Sequence, residues 1–201
     1  MESVVIVLGY GEINLNLIPE DADIIGVDGG ASLCAKNDLM MDLAIGDFDS
    51  VTAVEFEHIQ MRSRKIVQLD SDKDDSDFEA ALTYTHKYDE LIVFGHWGKR
   101  FDHTYVNLQL LKNDLRMTFI DNHNKVFTLS EGFFEISRDG FEYISVFALS
   151  ESEITLSGTQ YELEHRVLDV DDVYTLSNKI LNEHATLKIH SGKLLIIQSK
   201  D

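Results

Sequence analysis

Three acidic segments of this sequence each follow an apolar run. Asp47 and Asp49 come directly after residues 43–45, and Asp28 precedes Gly29 and Gly30 after residues 24–27. The third segment, residues 70–77, contains Asp74 and Asp77 and has Lys73 as its only cation. Carboxylate oxygens are ligands for divalent cations such as Mg²⁺. A solvated helix start explains two or three of the acids in the third segment, whereas a cation site explains more of them.

A fourth segment carries cations and glycines and also follows an apolar run. It contains Gly98, Lys99, Arg100, Asp102 and His103. Arginine binds phosphate with two parallel hydrogen bonds, and a helix N-terminus adds backbone donors. This segment is therefore the best candidate anion site in the chain, although Asp102 and His103 taken alone also fit a helix cap and a surface ring.

The composition restricts the classes of partner. The 201 residues include 36 Asp and Glu against 17 Lys and Arg, giving a formal net charge of −19, and 44% of them are hydrophobic. Such a chain should fold, and its charge argues against nucleic acid and anionic membranes as partners. The lone Cys34 cannot form an intramolecular disulfide, the first residues lack a basic signal region, and no apolar run is long enough to span a membrane. We expect a cytoplasmic protein.

The first part of the chain alternates apolar runs with helix-like segments. Buried strands are predicted at residues 3–8, 24–28, 43–45, 66–69, 91–94 and 118–120, and helices at about 77–88 and 103–112. Ser76 and Glu79 fit a capping box at the start of the first of these helices. This alternation predicts an α/β domain over residues 1–122, with a Rossmann-like parallel sheet covered by helices.

The remaining part, residues 123–201, has closely spaced strand candidates. They lie at residues 125–129, 133–136, 143–149, 153–156, 185–190 and 193–198, and Ser191-Gly192 is a hairpin signal between the last two. We expect a smaller antiparallel β-sandwich there. No His or Cys residues are paired at zinc spacing, so zinc is not expected.

The four segments should meet at one place in the predicted sheet. Loops that follow parallel strands gather at the carboxyl edge, where open α/β sheets bind ligands. We therefore expect a Mg²⁺–nucleotide site at this edge.

The same four segments resemble the loops of the thiamin pyrophosphokinase (thiamin diphosphokinase) family, and they occur in the family's order. They are residues 28–31 (DGGA), 46–50 (GDFDS), 73–77 (KDDSD) and 98–103 (GKRFDH), the last continuing to Asn107. Residues 156–163 and Ser177-Asn178 resemble the family's thiamin-binding region. Lys99 stands where the family usually has a second glycine, and residues 164–175 are more acidic than is usual for the family.

The resemblance implies an enzyme that transfers the pyrophosphoryl group of ATP to the thiamin hydroxyl, giving thiamin diphosphate and AMP. It implies a homodimer with the acceptor site between subunits, and it assigns residues 1–122 to ATP and metal and residues 123–201 to thiamin. The implied Mg²⁺ ligands are Asp47, Asp49 and Asp74, with Asp28 and Asp77 as weaker candidates.

The resemblance also implies roles for the other residues. Asp74, Arg100 and Asp102 would be catalytic, with Arg100 holding phosphate and Asp102 orienting metal or water or accepting the hydroxyl proton. Ser177 and Asn178 would bind thiamin. The implied ATP and phosphate contacts are Asp28, Gly29, Gly30, Asp77, Gly98, Lys99, Arg100 and His103.

Two alternatives remain from other functional classes. A glycosyltransferase could hold a metal-bound nucleotide sugar through Asp47 and Asp49, although it leaves segments 73–77 and 100–103 unexplained. A non-catalytic sensor of thiamin diphosphate or nucleotide could keep the same pockets without turnover.

Overall fold

The computed structural model describes residues 2–201, which form two compact units. The first unit comprises the residues up to Leu110 together with Arg116–Asp121, and the second comprises Leu111–Leu115 and Asn122–Asp201. Each unit has its own buried apolar cluster.

The first unit contains a sheet of six parallel strands in the order β6-β5-β1-β2-β3-β4. The strands are β1 (Ser3–Val7), β2 (Asp23–Val27), β3 (Leu43–Gly46), β4 (Ile66–Gln68), β5 (Glu90–Phe94) and β6 (Met117–Ile120). Most strand residues are buried, since helices cover a parallel sheet of this kind. The predicted α/β class of this part is confirmed.

The helices of the chain are α1 (Gly29–Lys36), α2 (Ala53–Met61), α3 (Asp77–Leu82) and α4 (Phe101–Asn113). The predicted capping box is present: Ser76 Oγ accepts from the Glu79 backbone N–H, and the Glu79 carboxylate accepts from the Ser76 N–H. The prediction that this helix extends to residue 88 is wrong. After Leu82 the chain forms turns with i to i−3 hydrogen bonds, because the Thr83 and Thr85 hydroxyls bond to nearby carbonyls.

The second unit consists of antiparallel strands. They are β7 (Asn124–Ser137), β8 (Tyr143–Ala148), β9 (Ser152–Ser157), β10 (Leu163–Leu168), β11 (Asn178–Lys179) and β12 (His184–Ser199). Strand β12 pairs with β7 along most of its length, with β9 through its first half and with β8 through its second half. Residues from β7, β8, β9, β10 and β12 together form the buried cluster of this unit, as expected for the predicted sandwich.

The predicted hairpin at Ser191-Gly192 is wrong, because β12 continues through it. Ile189 pairs with Gly132 and Lys193 with Ser130 of the same strand β7, with a shift in register between them. Gly192 has φ +92°, and a Cβ there would lie 2.2 Å from Ser152 Oγ. The glycine therefore allows a bulge within one strand rather than a reversal of the chain.

Among residues 2–201, no helix is both long and apolar enough to cross a membrane.

Candidate functional site

A cavity of about 770 Å³ lies in the first unit beside the loops that follow its strands. Residues from the loops after β1, β2, β3 and β4 and from the start of α4 line it, and Ser50 is the one from the loop after β3. Those used below are Tyr10, Asp28, Lys73, Asp74, Asp77, Asp102 and His103. The polar segments predicted to gather at the carboxyl edge of the sheet therefore do meet there.

Asp28 lies where β2 ends and α1 begins. Its backbone N–H donates to Ile45 O at 2.8 Å, and a Cβ on Gly46 would lie 2.9 Å from Asp28 Cα, so the glycine allows the two loops to approach. The backbone of Asp28 is in a region that L-residues rarely adopt, with φ 46° and ψ −118°. Its Oδ1 atom is buried and has no hydrogen-bond partner.

Three carboxylates converge in this part of the molecule. One oxygen from each of Asp28, Asp47 and Asp77 can be chosen so that all three lie within 4.8 Å of one another. The Lys73 ammonium lies 2.8 Å from Asp77 Oδ1. The cluster therefore combines several negative charges with one cation supplied by the chain.

The pKa shifts agree with this crowding of charge. Burial raises the pKa of Asp28, opposed by a hydrogen bond from the Gly29 backbone, and the neighbouring Asp77, Asp47 and Asp49 raise it further. The hydrogen bond to Asp77 raises the pKa of Lys73, with further contributions from Asp47 and Asp28. The cluster thus favours an added positive charge.

The predicted metal ligands do not all belong to this cluster. Asp47 is one of the three, whereas Asp28 and Asp77, the weaker candidates, are the other two. Asp49 is exposed, and its backbone N–H donates to Asp47 Oδ1 at 3.2 Å. Asp74 is exposed at the cavity wall. Of the glycines, Gly29 lines the cavity and Gly30 is buried at the start of α1.

The basic segment begins helix α4. Arg100 donates to both oxygens of Asp102, from Nε at 3.2 Å and from Nη2 at 2.6 Å, and this contact lowers the pKa of Asp102. Asp102 and His103 line the cavity. Lys99 is exposed, as is Arg100. Gly98 packs against the Tyr10 ring, since a Cβ there would lie 2.7 Å from the ring.

The loop before α4 is held by bonds from the helix itself. Asn107 Nδ2 donates to His96 O at 3.1 Å, and the Gly98 N–H donates to Thr104 Oγ1 at 3.3 Å. His96 stacks on Phe119 and is 1% exposed, and burial lowers its pKa to about 4, so it remains neutral. These contacts fix the loop that carries Arg100.

Ser177 and Asn178, the predicted thiamin ligands, lie in the second unit. The Asn178 side chain is buried: its Oδ1 accepts from the backbone of Tyr161 and Lys179, and its Nδ2 donates to Thr159 Oγ1 and Tyr161 O. Ser177 is exposed with φ 54°, and its N–H donates to Ser145 Oγ. Asn178 therefore holds the turn at residues 159–161, and Ser177 presents its side chain to solvent.

Three residues of the site were not among the predicted ligands. Lys73 neutralises Asp77, Tyr10 lines the cavity, and Asn107 positions the loop before α4. Lys73 was recognisable as the only cation in an acidic run. Asn107 was identified only as the end of the fourth family-like segment, and Tyr10 gave no comparable signal, because its contacts depend on the folded chain.

Comparisons with known proteins show which family the chain resembles. Residues 15–120 match the family model described as the catalytic domain of thiamin pyrophosphokinase. Residues 134–194 match the model described as its vitamin B1 binding domain.

Individual proteins are similar over nearly the whole chain. A thiamine pyrophosphokinase of Bacillus subtilis (strain 168) is 31% identical over 186 residues, covering 88% of this chain and 87% of that protein. The crystal structure of thiamine pyrophosphokinase from Bacillus subtilis has a TM-score of 0.87 and 29% identity, covering 100% of both chains. That of thiamin pyrophosphokinase from Geobacillus thermodenitrificans has a TM-score of 0.87 and 27% identity, covering 99% of this chain and 98% of the other. The chain therefore belongs to the thiamin pyrophosphokinase family.

Proposed function

We propose that the acidic cavity of the first unit binds ATP with Mg²⁺ and that the second unit supplies contacts to thiamin. The chain is a thiamin diphosphokinase, which transfers the pyrophosphoryl group of ATP to the thiamin hydroxyl and releases AMP. The observation that carries our assignment of the site is the cluster of Asp28, Asp47 and Asp77, in which a carboxylate oxygen is buried without a partner.

Asp28, Asp47 and Asp77 are our proposed ligands for Mg²⁺. Their oxygens suit a hard cation that binds few protein groups and keeps several waters. A bound Mg²⁺ would neutralise phosphate charge during transfer. We place Asp49 and Asp74, which are exposed, around the metal and the phosphates rather than in the cluster itself.

Arg100 and Asp102 are proposed to act on the reacting groups. The attacking thiamin oxygen forms a bond to the β-phosphorus while the bond from that phosphorus to the oxygen bridging it to the α-phosphate breaks, and AMP leaves with that oxygen. In our proposal the Arg100 guanidinium group turns from Asp102 to the phosphates. The freed carboxylate of Asp102, or that of Asp74, then accepts the hydroxyl proton.

The remaining predicted contacts have supporting roles in this proposal. Lys73, Lys99 and His103 would add positive charge or donors near the phosphates, and the backbone at Gly29, Gly30 and Gly98 would approach them closely. For thiamin, Ser177 is proposed as a direct contact because it is exposed. Asn178 is proposed to act by holding the adjacent turn.

We further propose that the enzyme is a homodimer. The second unit exposes several apolar side chains, as expected if part of this surface is covered. Val173 is 72% exposed, Leu176 63% and Leu181 60%. Dilution below the dimer dissociation constant should lower activity per chain, and sedimentation would follow the equilibrium. A monomer with undiminished specific activity would contradict the dimer. The cytoplasmic location stays a prediction.

The central test compares two neighbouring carboxylates. Asp47→Asn should lower turnover by ~10²-fold or more, as is typical for loss of an electrostatic stabiliser, whereas the exposed Asp49→Asn should have a much smaller effect. Formation of AMP and thiamin diphosphate from ATP, Mg²⁺ and thiamin is measured at saturating and limiting Mg²⁺. Equal losses in both variants would overturn the cluster assignment. The sensor and glycosyltransferase alternatives are not favoured, and production of both AMP and thiamin diphosphate by the wild type distinguishes the enzyme from them.

A further inference from the structure

A second group of metal-ligating side chains lies in the second unit, apart from the acidic cavity of the first. It consists of Glu153, His165 and His190, referred to below as the His–Glu cluster. One nitrogen from each imidazole and one carboxylate oxygen can be chosen so that all three atoms lie within 4.8 Å of one another. None of these residues has a part in the phosphoryl transfer described above.

Three adjacent strands supply the cluster. Strand β9 lies between β10 and β12, with Glu153 paired to Val167 on one side and to Ser191 on the other. Alternate residues Ser152, Ile154 and Leu156 of β9 are buried in the unit. Glu153 therefore projects from the outer face of the sheet.

Both histidines lie at irregularities of their strands. The register of β10 shifts between Leu163 and Arg166, and His165 within this bulge has φ 47°. The register of β12 against β9 shifts between Ile189 and Ser191, at His190. A bulge re-aims a side chain that regular pleating would direct elsewhere. Two independent bulges thus bring the imidazoles of distant residues together across β9.

The contacts within the cluster are close. His165 Nδ1 lies 2.6 Å from Glu153 Oε1, and the rings of His165 and His190 stack with their centroids 4.4 Å apart. Thr155, two residues after Glu153 on β9, contributes a hydroxyl. Its Oγ1 lies 2.9 Å from His190 Nε2 and accepts from the His165 backbone N–H at 3.3 Å. The hydroxyl is thus positioned to orient both histidines.

The donor set matches one class of ion. Two imidazole nitrogens and one carboxylate oxygen are a known three-residue ligand set for Zn²⁺, with water in the fourth position. Tetrahedral bonds of about 2.0–2.2 Å put ligand atoms about 3.3 Å apart. Binding would therefore require the stacked imidazoles to turn until a ring nitrogen of each points to the ion. The acidic cavity, by contrast, offers oxygen ligands in its carboxylate cluster, which suit Mg²⁺.

We propose that Glu153, His165 and His190 form a binding site for a divalent transition-metal ion of the zinc class, with one coordination position open to water. The competing explanation is an ion pair of His165 with Glu153 that needs no metal. The two differ in the role of His190, which the metal site requires and the ion pair does not. They also differ in stoichiometry, since only the metal site takes up one equivalent of the ion.

The test uses the full chain after removal of metals with a chelator. Mg²⁺ is kept in excess to occupy the acidic cavity, and Zn²⁺ is then titrated in competition with a chromophoric chelator. We expect one Zn²⁺ per chain. Co²⁺ in place of Zn²⁺ should give the intense visible absorption of a four-coordinate site, which is a readout independent of enzyme activity.

Two ligand variants and a matched control test the assignment. His190→Gln and His165→Gln should each weaken Zn²⁺ binding by about 10²-fold and abolish the Co²⁺ spectrum. His165 is an exposed side chain, so His165→Gln keeps the test available should His190→Gln fail to fold. The control is His184→Gln. His184 lies 3.8 Å from Glu135 on the same β unit but is outside the cluster, and Zn²⁺ binding should be unchanged.

The outcomes are distinct. Binding lost in both cluster variants and retained in the control supports the site. Equal Zn²⁺ binding in wild type, His190→Gln and His184→Gln overturns it and leaves adventitious surface binding only. Absence of a Zn²⁺ equivalent in the wild type also overturns it and leaves the ion pair alone. Thiamin diphosphate formation, measured in parallel, tests the proposed function separately, because the cluster takes no part in it.

Discussion

Asp28 in the first unit and Asn178 in the second each have buried polar atoms, but only those of Asn178 are all hydrogen-bonded. Asp28 Oδ1 has no hydrogen-bond partner and lies in a cluster of like charges. The amide of Asn178 makes four hydrogen bonds to residues around it. Both residues were predicted to bind ligands from their resemblance to short family motifs.

The difference separates a binding role from a structural one. A buried carboxylate oxygen without a partner destabilises the fold, which supports our proposal that a ligand completes the site. A fully bonded amide has little capacity left for a ligand and stabilises the turn around it. Substitutions at the two positions should therefore change stability in opposite directions.

The largest effect on stability is expected at Asn178. Asn178→Ala removes partners from Tyr161, Lys179 and Thr159, and leaving several buried polar groups unpaired should destabilise the chain by about 3 kcal/mol. Urea unfolding of the second unit measures it. Ser177→Ala is the matched control, because an exposed side chain should change stability by less than about 0.5 kcal/mol while weakening the use of thiamin. Similar stabilities for the two variants would show that the Asn178 bonds are dispensable.

A smaller effect with the opposite sign is expected at Asp28. Asp28→Asn removes one of several like charges, so without divalent cations the variant should be more stable than the wild type, by on the order of 1 kcal/mol at neutral pH. Its Mg²⁺ affinity and turnover should fall. Thermal unfolding with and without Mg²⁺ measures both changes. An Asp28→Asn variant that is less stable without metal would contradict the idea that the cluster is destabilising.

The pH dependence sharpens the same comparison. The pKa of Asp28 is raised in the folded chain, so the folded state binds the proton of this carboxyl group more tightly than the unfolded state does. The contribution of Asp28 to the free energy of unfolding therefore increases as the pH falls through the raised pKa. The stability advantage of Asp28→Asn should therefore shrink on acidification. Subtracting the wild-type curve from the variant curve removes the contribution of carboxylates that do not interact with Asp28. A difference independent of pH would rule out the charge of Asp28 as its cause.

A change in kinetics rather than in stability is expected in the cation segment. Arg100→Lys keeps the charge but loses the planar guanidinium group with its paired donors. The kcat/KM for ATP should therefore fall about tenfold, with little change in the KM for thiamin. Steady-state kinetics with each substrate varied in turn measure this. Lys99→Arg is the control, since it leaves the guanidinium group of Arg100 in place. A defect confined to thiamin would contradict the division of substrates between the two units.

Local signals were sufficient to predict the strands of the first unit. Its buried strands appear as uninterrupted apolar runs, and strands alternating with helices have few possible arrangements, so the loops could be assigned to one edge. Which carboxylates converge could not be predicted. The close approach at Gly46 brings Asp28 into the cluster, while Asp49, which shares a motif with Asp47, remains exposed.

The second unit was less predictable because its decisive features involve distant residues. Ser191-Gly192 has the sequence of a hairpin, but pairing with β7 on both sides continues the strand. Strand β10 has a mostly exposed pattern without clear alternation, and it was not predicted. The His–Glu cluster depends on two bulges, so its histidines have no characteristic spacing.

The continuity of β12 through Gly192 also determines how the second unit unfolds. The first half of β12 pairs with β9 and the second half with β8, while β7 pairs with both halves of β12. Neither β8 nor β9 can therefore separate from the unit without breaking hydrogen bonds to β12. Partial opening of the unit is therefore disfavoured, and its strands should unfold cooperatively. Buried, paired residues of β12 on either side of Gly192, such as Leu187 and Ile196, should then exchange their amide hydrogens at similar rates, set by global unfolding of the unit.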